Sequence, residues 1–218
     1  DVVGIDRNLS NLTVGDQKRV THYDLSKAVD IAENTRSIIR SVKRSDVRIC
    51  RRIAGKYGKR RVNRVHQLLH HISKSVVQAA KDEKTSIAFE KLTDIRKKYQ
   101  KGNGQSRMYR YLLNSWPFAE IKRQIEYKAR WEGIPVIQLS ASQTRGTSQL
   151  CPQCGKRLQE ERLRRRDLYC SKCNRWLDRD VVAAIRASLA EEVRSLARGK
   201  GASPRNGLRI GGRRSSKQ

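Results

Sequence analysis

Short β-favouring runs open the chain, and apolar positions at three-to-four spacing follow, so the pattern predicts strands first and helices after. Val2-Val3-Gly4-Ile5-Asp6, Asn11-Leu12-Thr13-Val14-Gly15 and Arg19-Val20-Thr21-His22-Tyr23-Asp24-Leu25 are separated by turn residues and predict a three-stranded meander. Two helices are expected over 26–82. The first carries Ile38, Ile39, Val42, Ile49, Cys50 and Ile53; the second carries Val62, Val65, Leu68, Leu69, Ile72, Val76 and Ala79, with Gly55 and Gly58 marking the break. Residues 85–89 read as a buried strand ending at Glu90. The polar stretch 94–107, with Lys101-Gly102-Asn103-Gly104-Gln105, predicts a mobile surface loop. Pro117 opens a helix with Phe118, Ile121, Ile125 and Ala129 on one face, and Gly133 ends it. Residues 134–139 predict another strand. A last helix is expected over 178–196, with Val181, Ala184, Ile185 and Leu189 sharing a face.

Charge narrows the partner class. The 218 residues carry 49 Lys+Arg against 21 Asp+Glu, a net charge of +28, which concentrates phosphate around the protein and makes nucleic acid the first partner to consider. No run of about 20 apolar residues and no lipidation motif occurs, which excludes a transmembrane protein and predicts no membrane partner. At 37% hydrophobic the body folds. Residues 199–218 are rich in Gly, Ser, Arg and Lys without an acid and predict a disordered tail. No signal peptide precedes Asp1, and a start at Asp1 without Met reads as a fragment.

Cysteine spacing is the most specific local signal. Cys151-Pro152-Gln153-Cys154 and Cys170-Ser171-Lys172-Cys173, fifteen residues apart, form the two knuckles of a four-thiolate Zn²⁺ ribbon. Four thiolates leave no open coordination position, so this zinc is expected to be structural. Disulfides or a redox dithiol are the other readings of the same pairs. Cys50 is expected to be a small buried hydrophobe.

The acids need a separate reason in so basic a chain. Asp6 and Glu90 each end an apolar strand, and neighbouring strands lie about 4.8 Å apart, so the two can share a divalent ion. Asp178 and Asp180 open the last helix; Asp178 is expected to cap it, and Asp180 to project back toward the other two. Asp16, Asp24 and Asp94 read as turn residues or solvated charges. Three oxygen ligands fit a two-Mg²⁺ site, whose ions sit about 3.5–4 Å apart and hydrolyse a phosphodiester.

Gly4-Ile5-Asp6, Phe89-Glu90-Lys91-Leu92, Thr147-Ser148 before Cys151-Pro152-x-Cys154-Gly155, and Asp178-Arg179-Asp180-x-x-Ala183-Ala184 occur in order. With these motifs the chain resembles the catalytic half of TnpB (OrfB), the transposon-encoded RNA-guided nucleases related to type V CRISPR effectors, over residues 1–196. The resemblance implies an α/β, RNase H-like (RuvC) mixed sheet flanked by helices with an inserted zinc ribbon. It divides the chain into a nuclease core (1–146), the zinc ribbon (147–177), the last core helix (178–198) and the basic tail (199–218).

The resemblance further implies, by the same motifs, that the catalytic and Mg²⁺- or Mn²⁺-binding carboxylates are Asp6, Glu90 and Asp180, that the substrate is DNA, and that a guide RNA is the partner of the full-length protein. Such proteins act in the prokaryotic cytoplasm, at the nucleoid. The family's guide-binding half precedes Gly4-Ile5-Asp6, and the chain is expected to lack it. Val182 and Arg186 stand where the family usually carries asparagines.

The competing readings are a nucleic-acid-binding derivative that does not cut and a zinc-ribbon binding module. Residues 36–64 hold twelve Lys or Arg and one acid, Asp46, and read as a channel wall or a solvated basic face. Tyr109 and Tyr111 are the expected base-stacking residues, whereas Trp116 and Trp131 are expected in the core. His66, His70 and His71 are expected to meet solvent or phosphate.

Overall fold

The computed structural model describes residues 1–42, 46–90, 92, 104–140, 146–161 and 164–189. Three opening strands, β1 (Val2–Arg7), β2 (Asn11–Gly15) and β3 (Val20–Asp24), form the expected antiparallel meander. Strands β4 (Ser86–Glu90) and β5 (Val136–Leu139) add in parallel on the other side of β1, giving the mixed sheet order β3-β2-β1-β4-β5. Asp16 and Asp24 are turn residues, accepting the amides of Lys18 and Arg19 and of Ser26 respectively.

One face of the sheet carries the large core. Val3, Ile5, Leu12, Ile87 and Phe89 pack there against helices α1 (Ser26–Ser41), α2 (Val47–Asp82) and α4 (Phe118–Trp131). Burying a side chain such as Phe89 contributes about 1.5–3 kcal/mol. All four expected face residues of α4 are buried, and Gly133 takes a left-handed φ of +69° just beyond it.

Two helical expectations change. The break between the first two helices falls near Asp46, not at Gly55 and Gly58, which lie inside the 36-residue α2. Asp46 sets the new start by accepting the Arg48 and Ile49 amides. An interior glycine costs only about 1 kcal/mol, which packing of the helix from Val65 onward offsets. Cys50, on the same helix, is half-buried rather than fully buried.

Helix α3 (Arg107–Ser115), capped by the Ser106 hydroxyl, is a helix that the apolar spacing does not signal. The expected surface loop lies largely outside the described residues, as do Asp94 and the basic tail.

The opposite face of the sheet is covered by α5 (Arg179–Leu189), which packs directly on β1. A Cβ on Gly4 would lie 2.1 Å from the Ala184 carbonyl oxygen and 2.8 Å from the Ala187 Cβ, so only glycine permits this approach. The buried face of α5 is Asp180, Val182, Ala184, Ala187 and Ser188. Of the four residues expected there, Ala184 is buried, while Val181, Ile185 and Leu189 are half-buried. Close contact with the sheet selects small side chains and turns the larger ones toward the helix flanks. Strands β6 (Gln159–Glu161), β7 (Arg164–Cys170) and β8 (Arg175–Asp178) form a separate antiparallel sheet that leads into α5.

Candidate nuclease centre and zinc ribbon

Strand alternation determines where the acids go. Residues 3 and 5 of β1 and 87 and 89 of β4 face the large core, so residues 2, 4 and 6 and residues 88 and 90 face α5. The parallel register pairs Ile5 with Phe89, and Asp6 and Glu90 follow that pair at the same end of adjacent strands. Asp180 lies in the first turn of α5 over this face, only 8% exposed. Asp178 takes the capping role, its Oδ1 accepting the Asp180 and Val181 amides at 2.7 and 3.2 Å.

Electrostatics record the proximity of the three acids. Burial pushes the Asp6 carboxyl up from 3.8 to about 6, and the charges of Asp180 and then Glu90 add to the rise. Asn8 opposes it by donating from Nδ2 to Asp6 Oδ2 at 2.9 Å. Asn11 Nδ2 donates to Asp180 Oδ2 at 3.2 Å, and Arg166 Nη2 of the ribbon lies 3.9 Å from the same oxygen.

Arg7 pins the strand ends together. Its guanidinium donates to the carbonyls of Glu90 (2.6 Å) and Phe118 (2.9 Å) and lies over the Phe89 ring. Burial lowers its pKa, and the charges of Glu90 and Asp6 oppose that.

The motif spacing singles out none of Asn8, Asn11, Arg7 and Arg166 as a site residue. The available signal was their position: three flank the strand end that carries Asp6, and the fourth lies in the hairpin between the cysteine pairs.

The four cysteines do converge. Cys151, Cys154, Cys170 and Cys173 are, among the described residues, the one group of three or more His, Cys, Asp or Glu whose ligand atoms all lie within 4.8 Å of one another. The carboxylate trio is therefore more open than this. Sulfur separations of 3.9 Å for Cys151–Cys173 and 3.5 Å for Cys154–Cys170 bracket the edge of about 3.8 Å that a tetrahedron with Zn–S bonds of about 2.3 Å requires. All four thiols are free of disulfides.

The knuckle geometry has local causes. Gly155 adopts a left-handed φ of +72° and donates its amide to the Cys151 carbonyl, while the Cys173 amide donates to Cys170 Sγ at 3.4 Å. That donation does most to bring the Cys170 thiol down, toward the thiolate a metal needs, while a hydrogen bond with Cys154 does most to push Cys173 up. Leu158, Leu168 and Val182 close an apolar cluster around Cys151 and Cys170. Val182 is thus accounted for by packing against the ribbon.

The basic segment 36–64 forms the end of the α1–α2 helical hairpin. None of its described residues is buried. Tyr109 is 44% exposed, as expected of a stacking residue, but Tyr111 is half-buried beneath Arg36. Trp116 is buried as expected, edge-on to Phe118. Trp131 overturns its expectation: it is 78% exposed at the end of α4, against Tyr127, because its position falls off the Phe118–Ile121–Ile125–Ala129 stripe. His66 and His70 meet α4, with His66 Nδ1 3.8 Å from Glu120 and His70 Nδ1 3.3 Å from the Tyr127 hydroxyl. No helix among the described residues is long and apolar enough to cross a membrane.

Comparison with known proteins agrees with this architecture. The Cas12f1-like TNB domain family matches residues 118–186. TnpB-like protein MJ0751 of Methanocaldococcus jannaschii is 33% identical over 194 residues, covering 84% of this chain and 66% of the relative. The CRISPR-associated endodeoxyribonuclease Cas12f2 of a Micrarchaeota archaeon is 22% identical over 199 residues, covering 86% of this chain and 35% of that protein. Among solved structures, Cas12f1 in its complex with sgRNA and target DNA superposes with a TM-score of 0.61 at 18% identity, covering 86% of this chain and 38% of that one. The chain therefore spans about two thirds of one curated relative and about one third of the other. With the motif order, the mixed sheet and the cysteine ribbon all in agreement, the chain belongs to the TnpB/Cas12f-type family.

Proposed function

We propose that this chain carries the DNA-cleaving centre of an RNA-guided endonuclease, with Asp6, Glu90 and Asp180 as its catalytic carboxylates. The observation that carries the reading is geometric: Asp6 and Glu90 follow one register pair on adjacent strands, and Asn11 beside them bonds Asp180, with the electrostatics in keeping. In a chain of net charge +28, these acids share one end of the sheet, and the Asp6 carboxyl rises to about 6 through burial and its neighbours' charge. Such a site favours a divalent cation, and carboxylate oxygens suit Mg²⁺ or Mn²⁺. When bound, a pair of these ions supplies a polarised water for attack on phosphorus and offsets charge on the leaving oxygen.

The chain's own residues supply the rest. Asp6, Glu90 and Asp180 hold the ions, and Asn8 and Asn11 orient two of these acids. Arg166 is mostly exposed beside Asp180 and can pair with a phosphate brought to the acids. The basic hairpin attracts the strand from a distance. Zinc in the ribbon of residues 147–177 is structural, since four thiolates close its shell. DNA is the substrate, a guide RNA the partner of the full-length protein, and the prokaryotic nucleoid the place of action; the complex of Cas12f1 with sgRNA and target DNA supports this choice.

The test is Mg²⁺- or Mn²⁺-dependent cleavage of single-stranded DNA by this chain beside Asp6→Ala. A loss of about 10³-fold or more in the variant is expected for removal of a metal-holding acid. Equal absence of cleavage in both proteins, with salt-sensitive DNA binding retained, assigns the chain to binding without hydrolysis.

A further inference from the structure

We infer that Asn8 and Asn11 form a side-chain relay that fixes the Asp6 and Asp180 carboxylates relative to each other for divalent-cation binding. The inference rests on the proposed nuclease reading and deepens it by assigning two positioning residues. Asn8 Nδ2 donates one proton to Asp6 Oδ2 at 2.9 Å and the other to Asn11 Oδ1 at 3.1 Å. Asn11 Nδ2 then donates to Asp180 Oδ2 at 3.2 Å. The series runs Asp6 ← Asn8 → Asn11 → Asp180. It bridges the β1–β2 hairpin to the first turn of α5, across 174 positions of sequence.

Three features separate this from ordinary turn chemistry. The turn itself is already closed by the main chain, the Asn8 amide donating to the Asn11 carbonyl at 3.0 Å, so the side chains are not needed for it. Ionised carboxylates only accept, which forces both amides into a single orientation; a flipped Asn8 would oppose Oδ1 to Asp6 Oδ2. A carboxamide, finally, orients a carboxylate without cancelling its charge, whereas a Lys or Arg in the same place would compete with the cation. Val182 and Arg186 offer no carboxamide on α5, and the hairpin supplies it instead.

Metal binding should respond first and cleavage second. In the zinc-loaded chain, Mn²⁺ affinity is measured by calorimetry for wild type, Asn8→Ala, Asn11→Ala, the double variant and Asp6→Ala, alongside single-turnover cleavage of labelled single-stranded DNA. Orienting partners behind metal ligands typically contribute about 10–100-fold in metal affinity, and each single variant should lose that much. The double variant should fall little below the worse single, because a relay broken at either link is broken. Melting temperature and metal-free DNA affinity should stay at wild-type values, which a merely structural role would not allow.

Unchanged Mn²⁺ affinity in the asparagine variants, beside a wild type that binds and cleaves, overturns the relay alone. Losses that track melting temperature and DNA affinity overturn it in favour of a folding role. A wild type that binds Mn²⁺ no better than Asp6→Ala overturns the nuclease reading and the relay with it. Should the alanine variants fail to fold, Asn8→Ser and Asn11→Ser are judged by the same criteria.

Discussion

Two carboxylates on opposite sides of the sheet show what each side is for. Glu120, on the helix-covered side, receives bonds from Arg123 at 2.7 and 2.8 Å and from Gln124 at 2.8 Å, and these hold its carboxyl down near 2. Asp6, on the α5 side, is pushed up to about 6 by burial first and by two repelling acids after it, against donated bonds from the Asn8 side chain and the Arg7 backbone. The first acid is satisfied by the protein and stabilises it. The second is destabilised where it stands, a cost that a bound cation would offset. The packing follows a related division: bulky Ile5, Ile87 and Phe89 build the large core on one side, while the other carries Gly4, alanines and the acids beside a smaller apolar cluster of Val2 and Leu139.

Perturbing each side in turn tests that division. Removing zinc should have the largest effect, because structural zinc in small ribbons supplies about 10–16 kcal/mol of apparent binding energy and Val182 ties the ribbon to α5. Chelation followed by hydrogen exchange should therefore expose the ribbon and α5 while the Phe89 side stays protected. Asp6→Ala should abolish metal-dependent cleavage yet leave thermal stability equal or higher, since it relieves repulsion; a drop in melting temperature would contradict the division. Phe89→Ala should do the opposite first, costing about 3–5 kcal/mol in denaturant unfolding.

Gly4→Ala probes the seam between the sides. The added methyl must displace α5, costing about 1–3 kcal/mol and moving Asp180, so cleavage should fall further than stability alone explains. The smallest effect is expected of Glu120→Gln. With the folded-state pKa near 2 against 4.5 unfolded, Glu120 contributes its stability above pH 4.5 and loses it as pH falls from 4.5 toward 2. The difference between wild type and Glu120→Gln in urea midpoints should be about 1 kcal/mol or less at pH 7 and close over that window.

How much of this was legible beforehand depended on whether a feature is local. The meander, α4 with its stripe, and the convergence of the cysteine pairs follow from spacing alone. The shared strand end of Asp6 and Glu90 was readable because two apolar strands each end in an acid. Asn8 and Asn11 were not, since turn asparagines are common and Asp180, which Asn11 bonds, lies far along the chain. The unbroken α2 defeated the glycine signal because packing near one end sustains the whole helix. Trp131 defeated composition: large aromatics usually seek cover, and this one sits off the buried stripe.

The outer end of the α1–α2 hairpin gives the molecule a property the sheet lacks. Residues 47–64 of α2 span about 27 Å at 1.5 Å per residue, and none is buried. The large core thus includes none of this stretch, whose Arg61 Nη1 reaches the Tyr111 hydroxyl at 3.3 Å. One added turn would lengthen the reach of the positive field by about 5.4 Å, and one deleted turn would shorten it, with the interior undisturbed. Evolution or design can therefore tune how far out the protein first senses a polyanion without touching the large core.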